Sequence, residues 1–254
     1  MSIASNLAEV RGRIAESARR AGRQPSEIAL VAVSKTFGAD RMREAWAAGQ
    51  REFGENKVQE GLQKIADTAD SPARWHLIGH LQSNKAKKAA AAFACVQSVD
   101  SVELLQRLDD GAGQRPPGTA PLEVLVQVDF AGEATKFGAP PEVAVETVRA
   151  AASAKHVQLT GLMLLPPWSD DPEQARPWFV RLREFRDRLA QELARDGIPA
   201  AQLLRHLSMG MSHDYQAAVE EGSTIVRVGT AIFGARRAPQ LVSDGATDTE
   251  PNGQ

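Results

Sequence analysis

Cysteine is nearly absent: the chain has one in 254 residues, Cys95, so it carries no internal disulfide, a usage that fits a reducing compartment. No apolar run approaches membrane-spanning length. The N-terminus lacks the apolar core of a signal peptide, and Glu9 and Glu16 argue against a transit peptide despite Arg11, Arg13, Arg19 and Arg20. Neither sign of charge dominates, since 30 Lys and Arg face 32 Asp and Glu. The formal net charge of −2 gives no net pull toward nucleic acid or an anionic membrane. The densest basic run, Lys85, Lys87 and Lys88, is the exposed face of a helix rather than a nucleic-acid patch. These absences predict a cytoplasmic protein with no membrane or nucleic-acid partner.

What the chain does have is apolar material, 43% of its residues, enough for one large core or two small ones. Ile3, Leu7, Val10, Ile14 and Ala18 keep helical spacing and predict an amphipathic first helix. Eight short β-like runs follow: Ile28–Ser34, Arg51–Phe53, Arg74–Ile78, Phe93–Gln97, Leu122–Asp129, Val157–Met163, Leu203–Leu207 and Thr224–Val228. Helical segments separate them: Ala39–Ala48, Asn56–Asp67, Asn84–Ala92, Ser101–Asp109, Pro141–Ala154, Asp171–Arg195 and His213–Glu220. In the longest, Phe179, Leu182, Phe185, Leu189 and Leu193 form the buried stripe. Eight alternations predict an α/β chain folded as one (β/α)₈ TIM barrel with an extra N-terminal helix, an open doubly wound sheet being the alternative. The barrel domain is expected over residues 1–237, with a polar, acidic and disordered tail over 238–254.

On such a barrel the C-terminal strand ends converge on one site. The first ends in Lys35, after the apolar run Ile28-Ala29-Leu30-Val31-Ala32-Val33 and Ser34. An amine partly withdrawn from water becomes a nucleophile fit for a Schiff base, although a lone strand-end lysine could equally snorkel to solvent. The seventh and eighth ends carry Ser208-Met209-Gly210 and Gly229-Thr230, where barrels often bind phosphate with backbone N–H groups. A Schiff-base lysine opposite a phosphate cradle points to pyridoxal 5′-phosphate (PLP). Arg227, two residues before Gly229 on the same strand face, could meet the pyridine nitrogen; the other reading is a salt-bridged arginine at the barrel rim.

Six segments then carry a family resemblance. They are Val31-Ala32-Val33-Ser34-Lys35-Thr36, Phe53-Gly54-Glu55-Asn56, Trp75-His76-Leu77-Ile78-Gly79-His80-Leu81-Gln82-Ser83-Asn84-Lys85, Gly161-Leu162-Met163, Leu207-Ser208-Met209-Gly210-Met211-Ser212, and Val226-Arg227-Val228-Gly229-Thr230-Ala231-Ile232-Phe233-Gly234. In order and in extent, up to Arg237, the chain resembles the pyridoxal-phosphate homeostasis proteins (YggS/PROSC-like), relatives of the barrel domain of alanine racemase. The resemblance implies a fold-type III barrel with PLP on Lys35 through a Schiff base. It implies Arg227 at the pyridine nitrogen, Ser208, Met209, Gly229 and Thr230 at the phosphate, and Asn56, His76 and Ile78 along the ring. The implied role is to bind, buffer or deliver PLP, with no catalytic residue and with apo PLP-dependent enzymes as recipients. Lys57, Asp129 and His213 depart from the family's usual residues without removing an expected contact.

Two enzymes could use the same lysine. A racemase needs a second acid–base group on the opposite face of the substrate, yet the only tyrosine, Tyr215, is expected at the start of a surface helix. A class I aldolase needs a proton-shuttling acid, for which Glu55 is the nearest candidate. His76, His80 and His206 lack the spacing of a metal site, so no metal is expected. Lys136 is read as a solvated loop lysine, and the protein as a monomer.

Overall fold

The computed structural model describes residues 2–132 and 137–234. Lys136 and the 238–254 tail therefore lie outside the described residues. Eight parallel strands close into a barrel in sequence order: β1 (Ala29–Val33), β2 (Glu52–Glu55), β3 (Arg74–Leu77), β4 (Cys95–Val99), β5 (Leu122–Val128), β6 (Val157–Leu164), β7 (His206–Met211) and β8 (Ile225–Val228). Closure is made by β8 on β1, from Ala29 opposite Ile225 to Ala32 opposite Val228, which excludes the open sheet. Around it run α1 (Ile3–Arg20), α2 (Ala39–Ala47), α3 (Val58–Asp67), α4 (Ala86–Ala92), α5 (Val102–Ala112), α6 (Pro141–Ala151), α7 (Arg176–Arg195), and the short α8 (Ala200–Leu203), α9 (Tyr215–Glu220) and α10 (Thr230–Phe233). No helix among the described residues is long and apolar enough to cross a membrane.

The extra helix α1 forms where the spacing predicts it. Ser2 caps it by accepting from the Ser5 N–H, Arg19 and Arg20 complement its C-terminal dipole, and its apolar stripe is buried. Asn6 Nδ2 donates to the Ile232 carbonyl, fastening α1 beside the last turn of the described chain. Each large side chain of the stripe contributes about 2 kcal/mol by burial.

Apolar packing divides between two regions. The larger lies between strands and helices and takes the outward side chains of the barrel, such as Phe53, Leu77 and Leu207, with the α7 stripe. A small one, Val31, Cys95, Leu125, Met163 and Ile225, lies inside the barrel. The rest of the interior is polar, including His76, Gln97, Ser208 and Arg227, all buried.

Two strands differ from the sequence reading in ways that matter for the site. β2 runs on through Gly54 and Glu55. β7 starts at His206, because Ala200–Leu203 coils into α8 behind Pro199, and it continues to Met211. Pairing shifts register between Ser208 opposite Ile225 and Met211 opposite Arg227, a bulge at Met209-Gly210. Gly210 sits at φ +94, and a Cβ there would come within 2.6 Å of the Ala218 Cβ, so only glycine lets α9 pack on the bulged strand.

Candidate functional site

Lys35 leaves β1 inside a tight turn. The Ser34 N–H donates to the Gly54 carbonyl at 3.1 Å, and the Phe37 N–H returns to the Ser34 carbonyl at 3.0 Å. Between them Thr36 adopts φ +68, the left-handed region that a β-branched residue seldom occupies. Ser34 and Glu55 are fully buried, and the Ser34 hydroxyl donates to Glu55 Oε1 at 2.6 Å. Lys64 of α3 donates to the same carboxylate oxygen and to the Ser34 carbonyl. Glu55 is therefore engaged on the outside of the barrel, where it cannot serve as the acid of an aldolase. Lys35, half-buried, extends into a cavity of about 740 Å³ at the C-terminal mouth.

Arg227 forms part of the cavity lining. It is buried, its NH1 donating to Ser208 Oγ at 2.5 Å and its NH2 to the Leu164 carbonyl at 2.9 Å. Burial pushes its pKa down to about 10, with Asp214 acting against the fall, so it stays a cation at neutral pH. Among the described residues no carboxylate comes within ion-pair distance of it, so its buried charge is met directly by two neutral oxygens. Such a cation calls for an acceptor from the cavity side.

The β7 and β8 exits meet on one wall. Asp214 Oδ1 accepts from the Met211 N–H at 2.6 Å and shapes a tight turn; burial raises the Asp214 carboxyl, with that same bond opposing. Ser212, at the turn, accepts from the Gly229 N–H at 3.0 Å, which leaves its hydroxyl proton to donate into the cavity that it lines. A Cβ on Gly229 would stand 3.2 Å from the Val33 carbonyl, so glycine lets the β8 exit lie against β1. Thr230 follows, its hydroxyl exposed, at the start of α10, where the first N–H groups have no partner within the helix.

Asn56, Ile78, Gly79 and His80 build another part of the lining. The His80 ring stacks on Phe137 with centroids 3.7 Å apart. Burial raises the Asp100 carboxyl beyond it, and the His80 charge opposes that rise. The half-exposed Phe137 and the exposed Trp168 both border the cavity.

Of the nine residues the sequence singles out, Lys35, Asn56, Ile78, Arg227, Gly229 and Thr230 line this cavity. His76 and Ser208 lie in the barrel interior, away from its lining, and Met209 is buried in the outer core. Ser212, His80, Gln127 and Trp168 line it without having been singled out as ligand contacts. Ser212 was findable: with β7 read through to Met211, it is the first residue past the strand. Tyr215 corrects another expectation. It is buried in the outer core, not displayed on a surface helix, and burial pushes its hydroxyl pKa up. The three histidines face different partners: His76 meets Gln97, His80 meets Asp100, and His206 meets Thr224.

Comparison with known proteins agrees with this geometry. Residues 5–237 match the family model of the alanine racemase N-terminal domain. A pyridoxal phosphate homeostasis protein of Pseudomonas aeruginosa is 46% identical over 92% of this chain and 96% of its own. Its counterpart in Escherichia coli K12 is 42% identical over 92% of this chain and 97% of its own. The solved structure of PipY from Synechococcus elongatus with PLP bound is 39% identical, covers 92% of this chain and all of its own, and superposes with a TM-score of 0.77. An alanine racemase of Clostridium difficile, 14% identical with a TM-score of 0.63 over 92% of this chain and 62% of its own, shares the fold. With its closed barrel, its lysine at the β1 exit and relatives matching it almost end to end, the chain belongs to the pyridoxal phosphate homeostasis protein family.

Proposed function

We propose that the mouth cavity binds PLP through Lys35 and that the protein acts in PLP homeostasis, holding the cofactor and passing it to apo PLP-dependent enzymes. The observation that carries this is Arg227: a buried cation with no carboxylate in ion-pair distance among the described residues, on the lining of a cavity that also receives an amine and a wall of hydroxyl and backbone donors. A matching ligand combines an aldehyde, a ring atom able to accept a hydrogen bond, and an anionic group. PLP has all three, and when bound it supplies a reactive aldehyde on an electron-withdrawing ring.

Lys35 is the attachment point, presented by its turn. Arg227 donates to the ring nitrogen. Ser212, Gly229 and Thr230 face the phosphate, while Asn56 and Ile78 border the ring. The Ser208 side chain is not assigned to the phosphate, because its proton goes to Gln97, and Met209, whose side chain lies in the outer core, has only its backbone N–H to offer there.

A carrier fits this chain better than an enzyme. Arg227 can only donate, so it leaves the ring nitrogen unprotonated and the ring a weak electron sink. Tyr215, the sole tyrosine, is packed in the core and cannot supply a racemase's second base. The relatives named for homeostasis rather than for a reaction support the same reading.

The test is the absorption spectrum of the parent and of Lys35→Ala after incubation with PLP and borohydride. The parent alone is expected to gain a visible band and a covalent label on Lys35. Equal labelling of both, or of neither, would overturn the assignment. Restoration of an apo-enzyme by the loaded protein, without turnover of either alanine enantiomer, is the outcome expected of a carrier.

A further inference from the structure

A line of hydrogen bonds runs inward from the cavity through the barrel, and its polarity is fixed from one end. Arg227 NH1 donates to Ser208 Oγ at 2.5 Å. A guanidinium has no acceptor, so the serine oxygen must accept and its proton must go elsewhere. It goes to Gln97 Oε1 at 2.6 Å. That orients the amide and sends Gln97 Nε2 to His76 Nδ1 at 3.0 Å. His76 Nδ1 must then accept, which puts the imidazole proton on Nε2. That nitrogen stands 3.2 Å from Glu52 Oε2, within ion-pair reach but out of line for a hydrogen bond. Each hydrogen-bonding proton points away from Arg227, and the line ends at His76, whose Nε2 faces the Glu52 carboxylate.

The five groups come from β8, β7, β4, β3 and β2. Arg227, Ser208, Gln97 and His76 are all buried. An interior this polar is expensive unless each group is matched. Filling the same space with apolar side chains would serve a scaffold as well, so the line is best explained by its upper end. There it turns a lone pair of the Ser208 oxygen, and not its proton, toward Arg227 and draws the guanidinium into one position.

We infer that Gln97 is a positioning residue for Arg227, acting through Ser208 and itself oriented by His76 and Glu52, so that the guanidinium is held ready to donate to the ring nitrogen of the ligand. This rests on the proposed function, since it takes the ligand to be PLP. It also gives Ser208 a role different from the phosphate contact that the family resemblance implies.

The test compares PLP with its deaza analogue, in which a ring C–H replaces the nitrogen, on parent, Gln97→Leu and Ser208→Ala protein. Losing the fixed donor is expected to weaken PLP binding roughly tenfold, the worth of one hydrogen bond to a charged group. Both variants should lose that factor with PLP and bind the deaza analogue like the parent. Ser208→Ala removes little volume, so it keeps the test usable if Gln97→Leu folds poorly. An equal loss with both ligands overturns the inference, and for Ser208→Ala it would instead mark a phosphate contact. If the parent binds neither ligand, the proposed function fails first, which is a distinct result.

Discussion

Lys64 donates from α3 to the Ser34 carbonyl at 2.6 Å and to Glu55 Oε1 at 2.5 Å, tying a helix outside the barrel to the residue that precedes Lys35. The second carboxylate oxygen, Glu55 Oε2, is buried without a hydrogen-bond partner among the described residues. A buried ion pair with an unmet oxygen is a poor source of stability. Its use is better sought in position, because the carbonyl it grips belongs to the turn that holds Thr36 at φ +68.

That argument separates stability from function. Lys64→Met alone leaves Glu55 buried and unpaired, and is expected to cost about 3–5 kcal/mol by denaturant unfolding. Adding Glu55→Leu should restore stability to within about 1 kcal/mol of the parent, since well-packed apolar replacements of buried pairs are often neutral. The double variant should nevertheless be labelled at Lys35 more slowly under PLP and borohydride. Parental labelling kinetics in a stable double variant would show that the pair does nothing for Lys35.

The barrel was legible because most of its strands are short apolar runs between helical stretches, and misplaced ends, by as much as three residues at the start of β7 and four at its finish, did not alter the count. Lys35, Arg227, Gly229 and Thr230 were legible for a related reason: a charged, glycine or hydroxyl residue at a strand end stands out in a barrel. Ser212 was missed because Ser-Met-Gly reads as the end of a strand. Gly210 at φ +94 instead makes a bulge, and pairing resumes at Met211. The same bulge draws α9 inward, which is why Tyr215 is buried. Gln97 and Lys64 gave no sign, since the facing of one depends on β4 register and the other looks like any helical lysine. The β4–β5 pairing indeed shifts register between Val96 and Val99.

His206 predicts a pH dependence of stability. Its Nε2 accepts from Arg205 Nε at 3.0 Å, so Nδ1 carries the proton toward Thr224 Oγ1 at 3.1 Å. Burial lowers its pKa, and the Arg205 charge lowers it further, against the pull of Glu123 and Glu52. A histidine with a depressed folded pKa takes up its proton first in the unfolded chain. Its burden is therefore absent at high pH and grows as pH falls below the unfolded value of about 6.5. The parent should lose stability from about pH 7 downward, and His206→Asn should flatten that part of the profile. Glu52 acts lower on the scale. Burial would raise it, but His76 and Arg74 outweigh that and hold it below the usual carboxylate range, so its contribution fades only in stronger acid. Parallel profiles for parent and His206→Asn between pH 7 and about 5.5 would refute the assignment.

Gly79 sets how closely the β2 and β3 exits approach. A Cβ built there would lie 2.2 Å from the Asn56 carbonyl oxygen and 2.7 Å from its Cα, both backbone atoms that cannot swing aside. The Gly79 carbonyl is in turn held by the Ser98 hydroxyl at 2.6 Å, so the segment cannot simply slide away. Gly79→Ala should cost about 2–3 kcal/mol, the upper range for overpacking. It should also weaken PLP binding, because it displaces Asn56 and with it the adjoining cavity lining. Gly12→Ala in α1 is the matched control: nothing among the described residues lies within 4 Å of its Cβ position. Alanine at that helical site should stabilise by about 0.5–1 kcal/mol. Unfolding midpoints and PLP titrations of the two variants decide the point. If Gly79→Ala behaved like Gly12→Ala in both, the contact with Asn56 would not constrain the site.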